Sequence, residues 1–259
     1  MKTALITGGS SGIGKQFAQI HAEKGGDLVL VARSEKELLD IKRELESKYK
    51  IKVFVITQDL VKSNAVQAIY DEVKRQNISI DYLINNAGFG GIGKFHEREW
   101  QKDHDMILLN IMALTALTRL FLPDFVERNE GRILNVSSTA SLMAGPLQAV
   151  YFATKAYVTS FSNAIAEELR DTNITVTNLM PGATETNFGK VSGMDKTAMF
   201  KSTASARQVA EDGYQGMIDG TLDVIYGLTF SQKAMMSMLP LVPKKMILSQ
   251  IRKMQEVEE

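Results

Sequence analysis

Short apolar runs alternate with longer amphipathic stretches along most of the chain, and this rhythm constrains the fold more than any other feature. The runs are TALIT (Thr3–Thr7), LVLVA (Leu28–Ala32), KVFVIT (Lys52–Thr57), DYLIN (Asp81–Asn85), RILNVS (Arg132–Ser137), ITVTNLM (Ile174–Met180) and DVIYG (Asp223–Gly227). Helical patterns lie between them over Ile13–Lys24, Glu35–Lys48, Ala65–Gln76, Met106–Arg128 and Val150–Arg170. The runs are rich in Val and Ile and apolar nearly throughout, as strands buried on both faces are. Seven such strands joined through helices predict an α/β fold, a doubly wound parallel sheet with right-handed crossovers and helices on both faces.

No linker or repeat interrupts the pattern before residue 184, which predicts a single domain over residues 1–259, with a core to residue 190 and a remainder, 191–259, holding a lid, the last strand and a tail. The formal net charge is zero, so nothing points to nucleic acid, and the absence of cysteine removes disulfides and thiolate chemistry. The apolar part of MKTALITGG is too short for a signal peptide, and Asn110 and Arg119 interrupt the best membrane-span candidate, Met106–Leu122. A soluble, cytoplasmic protein with a well-buried helix there is expected. Three histidines form no metal-ligand pattern, so no metal is expected.

The stretch TGGSSGIG places Gly8, Ser10, Ser11, Gly12, Ile13 and Gly14 between the first strand and the first helix. Glycines there let the backbone turn tightly against a pyrophosphate, and the helix N-terminus offers free N–H groups and a positive dipole end. The second strand ends in Ala32 and Arg33, where a ribose-binding acid would select NAD. With no carboxylate to repel a 2′-phosphate and a guanidinium able to grip it, the expected cofactor is NADP(H) rather than NAD(H); otherwise Arg33 is a solvated loop residue.

Tyr151 and Lys155 stand four residues apart in AVYFATKAYV and share a helix face. A carbonyl receiving a hydride becomes an alkoxide and needs a proton donor. A phenol, with a reference pKa near 10, is a poor donor at neutral pH unless a nearby positive charge stabilises its phenolate. A lysine one turn away can supply that charge.

With its Thr-Gly-x3-Gly-x-Gly loop and Tyr-x3-Lys pair, the chain resembles the short-chain dehydrogenase/reductase family over about residues 1–190, through six ordered motifs. The resemblance implies a Rossmann-type domain and an NADP(H)-dependent oxidoreductase. It assigns Tyr151 as general acid/base and Lys155 as the residue that lowers its pKa and holds the nicotinamide ribose. Ser138, thirteen residues before Tyr151, becomes the ligand of the substrate oxygen, with Ser137 as the competing choice because alternation points the two oppositely. Asn110 matches the asparagine that anchors a relay water. Asp59 and Leu60 fall near the adenine; Asn86, Ala87 and Gly88 fall along the adenosine ribose. Asn85 is either part of that footprint or a turn-stabilising amide. Pro181, Gly182, Thr184 and Thr186 fall against the nicotinamide carboxamide, Thr184 standing where a branched apolar residue is usual.

Within the family the chain looks most like bacterial ketone reductases and the 17β-hydroxysteroid and 3-oxoacyl-CoA reductases. By matched position Phe89, Met143, Leu147 and Phe188 line the substrate pocket under a Ser192–Lys201 lid, which implies a hydrophobic ketone, aldehyde or 3-oxoacyl substrate; the alternative is that they only pack in the core. Eight of the thirteen methionines follow residue 190, suited to an adaptable lid or to core filling. A homodimer or homotetramer through the helices of Asn110 and Tyr151 is implied, and membrane contact by the tail around Lys244, Lys245, Arg252 and Lys253 is not expected. The contrasting reading is a non-catalytic NADP(H)-binding sensor or scaffold, which would typically have lost one of Ser138, Tyr151 and Lys155.

Overall fold

The structure, a computed structural model, describes residues 1–197, 200, 202–226 and 243–256. The expected strands appear as β1 (Thr3–Thr7), β2 (Asp27–Ala32), β3 (Val53–Thr57), β4 (Tyr82–Asn85), β5 (Gly131–Val136) and β6 (Ile174–Pro181); the last run forms Asp223–Tyr226. They make one seven-stranded sheet in the order β3-β2-β1-β4-β5-β6 and then Asp223–Tyr226, every pairing parallel. Strand order reverses between β1 and β4, so the crevice beyond their carboxyl ends is where such a sheet takes its ligand.

Alternation along each strand sends side chains to two separate cores. Ala4, Ile6, Leu28 and Leu30 pack with Phe17 of α1 (Gly12–Glu23) and Leu38 of α2 (Glu35–Tyr49). Leu5, Val29 and Val31 pack on the other face with Ile69 of α3 (Ala65–Arg75), and with Phe121 and Phe125 further along the chain. Both faces are covered, which is why the strands carry so little polarity.

The stretch expected as one helix over Met106–Arg128 begins earlier and changes character midway. It comprises α4 (Trp100–Ile107), a π-helical turn (Leu108–Ala113) and α5 (Leu114–Arg128). By length and composition Trp100–Arg128 could cross a membrane, but Met106, Leu117, Phe121 and Phe125 are built into the core. Only 39% of its most apolar window is buried, so this helix is less enclosed than its sequence suggests.

The helix α6 (Ala149–Glu168) carries Tyr151 and Lys155 and runs into β6. Beyond it come β7 (Thr184–Glu185), α7 (Phe188–Ser192), β8 (Ala204–Ser205), which pairs with β7, and α8 (Ala206–Asp219). The small β7–β8 pair and α8 had no counterpart in the sequence reading. The basic end of the chain forms a helix over Lys244–Gln255. Gly227 and the methionines of residues 228–242 lie outside the described residues, as do Ala198, Met199 and Lys201 of the expected lid.

Candidate active site

The glycine loop leaves β1 with Gly8 at φ +66° and enters α1 through Gly12 at φ +51°, left-handed values that favour glycine. Gly14 is required for space: a Cβ there would strike the Gly8 carbonyl and stand 2.5 Å from Asn86 Nδ2. Ser11, the residue before α1, is exposed and makes no side-chain cap, and the first turn of the helix holds no acid. The terminal N–H groups therefore face solvent beside a cradle without side chains, which fits an anionic pyrophosphate. Ser10 and Ile13 flank this cradle, half-buried. Arg33 is exposed just past β2 and forms no ion pair among the described residues. Asp59 caps the turn after β3 through Val61 N–H at 3.3 Å, and Leu60 is buried beside it.

The NNAG segment is built differently from its expected part. Asn86 Nδ2 donates to the carbonyls of Thr7 at 2.9 Å and Gly8 at 3.3 Å, while Thr7 Oγ1 accepts from the Asn86 and Ala87 amides. Asn86 thus buttresses the glycine loop. Asn85 is no turn residue: it is buried, and its amide nitrogen bonds Thr118 and Asn135 in the core. Gly88 lies where a Cβ would approach Asn110 Oδ1 at 3.0 Å and Lys155 Nζ at 3.5 Å.

The structure separates the two serines. Ser137 turns to α6, donating to the Lys155 carbonyl at 2.9 Å and meeting Thr159 at 2.8 Å. Ser138 turns the other way, to the Pro181 carbonyl at 3.3 Å and to the Tyr151 hydroxyl, where its hydrogen bond favours the phenolate. Of the two, Ser138 is the serine beside the Tyr151 hydroxyl.

Tyr151 is 7% exposed, and apolar cover pushes its pKa up to about 12 against the opposing pull of Ser138. Lys155 is buried too, which draws its pKa down to about 8. Its Nζ donates to the Val136 carbonyl at 2.8 Å and stands 5.9 Å from the Tyr151 ring centre.

Asn110 sits on the π-helical turn, a geometry frequent at functional sites. Its Nδ2 donates to the Phe89 carbonyl at 3.0 Å and to Thr154 Oγ1 at 3.1 Å, and its Oδ1 accepts from Phe89 N–H at 3.2 Å. Asn110 thereby clasps the loop after β4 and ties it to α6. On the far side, Pro181 is buried at the end of β6, Gly182 N–H binds the Tyr226 carbonyl, and the Thr184 hydroxyl turns back to the Gly182 carbonyl at 3.0 Å. That turn resolves the polar departure at Thr184. Thr186 reaches the glycine loop, its Cγ2 standing 3.2 Å from where a Gly12 Cβ would be.

Phe89, Met143 and Phe188 are partly buried against the apolar cluster that includes Tyr151, and the rings of Tyr151 and Phe188 lie 5.7 Å apart. Leu147 does not join that cluster. Its backbone is left-handed, φ 68°, and its carbonyl accepts from Gly93 N–H at 2.8 Å, so it helps shape the loop before α6. Met194 and Phe200 complete the cover over Tyr151, with Gly90 beneath. Met194 and Phe200 belong to the expected Ser192–Lys201 lid, whereas Gly90 lies in irregular chain with no periodicity to mark it.

A serine and a buried lysine converging on one phenol, beside an anion cradle at the carboxyl edge of a dinucleotide-type sheet, define an oxidoreductase of the CH–OH/C=O class. The chain belongs to the short chain dehydrogenase family, whose profile matches residues 2–197. An NADP-dependent 3-hydroxy acid dehydrogenase of Schizosaccharomyces pombe is 36% identical over 192 residues, 73% of this chain and 74% of that one. The very-long-chain 3-oxoacyl-CoA reductase of Macaca fascicularis is 33% identical over 198 residues, 73% of this chain but only 61% of the longer reductase. Among solved structures, a short-chain dehydrogenase from Sphingobium yanoikuyae in complex with NADPH superposes with a TM-score of 0.85 at 29% identity, covering 100% of this chain and 99% of that one. A bulky-bulky ketone specific alcohol dehydrogenase from Comamonas testosteroni matches with a TM-score of 0.80 at 26% identity, over 100% and 98% of the two chains.

Proposed function

We propose that this protein is an NADPH-dependent reductase of hydrophobic ketones, aldehydes or 3-oxoacyl compounds, running reversibly toward the secondary alcohol. The observation that carries the reading is the apolar enclosure of Tyr151 by Phe89, Met143, Phe188 and Met194, with Ser138 on its hydroxyl. A charged keto acid entering there would be desolvated without a partner, whereas an apolar ketone replaces water at no such cost.

The cofactor reading is supported by the cradle of Gly8, Gly12 and Gly14, by Arg33 in place of an acid, and by NADP dependence and bound NADPH among the relatives. In it Arg33 grips the 2′-phosphate, Asp59 and Leu60 border the adenine, and the backbone of Asn86–Gly88 lies along the ribose. Pro181, Gly182, Thr184 and Thr186 hold the nicotinamide end. NADPH supplies the hydride.

The protein's own part is to hold the carbonyl and deliver a proton. Ser138 donates a hydrogen bond to the carbonyl oxygen, and Tyr151 donates the proton as negative charge develops there. Lys155 lowers the cost of the phenolate that remains, and Asn110 keeps a path to solvent for reprotonation. A non-catalytic sensor has no use for this arrangement.

The half-exposed face of the Trp100–Arg128 helix, with Met112 on its π-helical turn 56% exposed, and Tyr157 on α6 support a dimer or tetramer through these helices. The test of the function is a panel of carbonyl compounds graded in size and charge, assayed with NADPH and with NADH. Turnover concentrated on bulky apolar ketones with NADPH is expected. Equal turnover of small charged keto acids would overturn the substrate class.

A further inference from the structure

The loop after β4 reads GFGGIG, four glycines in six residues, and its backbone forms a wall packed on Tyr151, Phe188 and Met194. A Cβ on Gly90 would meet Met194 Cε at 2.6 Å, Phe188 Cζ at 3.0 Å and Tyr151 Cδ2 at 3.2 Å. Backbone so close to the reacting phenol has to stay put, yet a glycine-rich segment has more conformational freedom to lose than any other. Asn110 clasps its start at Phe89. Something must hold its far half.

Arg98 does so. It donates through Nη1 to the Ile92 carbonyl at 2.8 Å, and through Nε and Nη2 to Asp103 Oδ1 at 2.9 and 2.6 Å. Its guanidinium lies directly on Gly91, where a Cβ would strike it, and its stem lies 3.2 Å from the place of a Gly93 Cβ. Asp103 stands on the first turn of α4, so the pair anchors the loop to a helix that is seated on the core through Met106. The side chains are 14% and 2% exposed. Gly93 N–H then passes the restraint to the Leu147 carbonyl, just ahead of α6.

A buried ion pair is no efficient source of stability, since apolar residues of the same volume often serve as well. Its distinctive property is directional, because a planar guanidinium can hold a carboxylate and a carbonyl in one fixed geometry. We propose that the Arg98–Asp103 pair is a positioning device that fixes the Phe89–Gly93 wall beside Tyr151 and thereby sets the width of the substrate that can reach that phenol. The width argument rests on the carbonyl-reductase reading; the fixing of the wall does not.

The experiment compares wild type with Asp103→Asn, Arg98→Lys and the double variant Arg98→Met/Asp103→Leu. The double variant removes both charges at similar volume, so it keeps a folded protein available even where a single change leaves a buried charge unpaired. Arg98→Lys keeps the charge but cannot reach Asp103 and the Ile92 carbonyl together. Hydrogen exchange of the peptide spanning residues 88–95 is read first, with β4 as internal reference. The expected result is faster exchange by about tenfold or more in that peptide and none in β4. Kinetics follow: KM for the largest ketone that wild type reduces should shift by about fivefold or more, with kcat for the smallest one within about twofold.

Unchanged exchange at 88–95 would overturn the proposal. So would kcat falling equally for large and small ketones in step with lost thermal stability, the mark of a merely structural pair. If wild type reduces no carbonyl, it is the functional reading that fails, and the fixing of the wall is decided by exchange alone.

Discussion

Lys155 Nζ lies 5.9 Å from the centre of the Tyr151 ring and spends a hydrogen bond on the Val136 carbonyl. In the proposed mechanism the lysine acts on the phenol as a charge through space, and only while protonated. With its pKa drawn down to about 8, that charge is lost as pH rises through that value. The rate of ketone reduction should be level below about pH 8 and fall above it. In Lys155→Met the rate should be low throughout, with that limb missing. A wild-type profile level to pH 10 or so would contradict the coupling.

Tyr151→Phe removes the hydroxyl and leaves the ring that packs on Phe188. Cofactor binding, followed by NADPH fluorescence, should be retained, and turnover should fall by about 10³-fold, within the usual contribution of a positioned acid. Turnover close to wild type would mean that another group delivers the proton.

Arg33→Ala should weaken NADPH by about 10- to 100-fold, the worth of a hydrogen bond to a charged group, while NADH changes by less than about twofold. Isothermal titration with both cofactors decides it. Equal losses would show that Arg33 does not read the 2′-phosphate.

Gly14→Ala puts a methyl group against the Gly8 carbonyl and the Asn86 amide that braces it. The loop has to move, at a cost of about 1–3 kcal/mol. The variant should melt several degrees lower and lose most affinity for NADPH. Normal affinity in this variant would count against the cradle.

His21 is buried at the opposite end of the sheet, with Nε2 on the Lys2 carbonyl at 3.0 Å and Nδ1 on the Tyr214 hydroxyl at 2.8 Å. A carbonyl only accepts, so Nε2 carries the proton and Nδ1 accepts from Tyr214. Burial lowers the His21 pKa below its ordinary 6.5, so below that pH the unfolded chain takes up a proton that the folded chain refuses. Stability should therefore fall as pH drops through about 6.5. Urea midpoints at about pH 7 and pH 5.5 should differ more in wild type than in His21→Gln. Equal differences would remove His21 from the acid response.

Much of the site is legible in the chain because its parts are local. The turn from β1 into α1 needs glycine at fixed offsets, and Tyr151 and Lys155 share a face because four residues make about one helical turn. The order of strands and helices follows from apolar periodicity in the same way. Ser137 and Ser138 show where such reasoning stops. Alternation says that they point oppositely, but not which face carries Tyr151. The pKa argument stops there too, since the sign of the Tyr151 shift depends on Phe188 and Met194 closing over it from forty residues away.

The sequence by itself determined the α/β class, the sheet's parallel strands, the anion cradle, the pairing of Tyr151 with Lys155 and the absence of an acid after β2. Each is a matter of backbone preference or spacing within a few turns of chain. Only the tertiary structure decided that Ser138 and not Ser137 faces the phenol, that Asn110 ties the loop after β4 to α6, and that Leu147 binds Gly93. Those outcomes come from segments far apart in sequence, brought together when the crossovers lay α4, α6 and the chain after β6 over the carboxyl ends of the strands. Local chemistry writes each group, and the sheet topology chooses which of them touch.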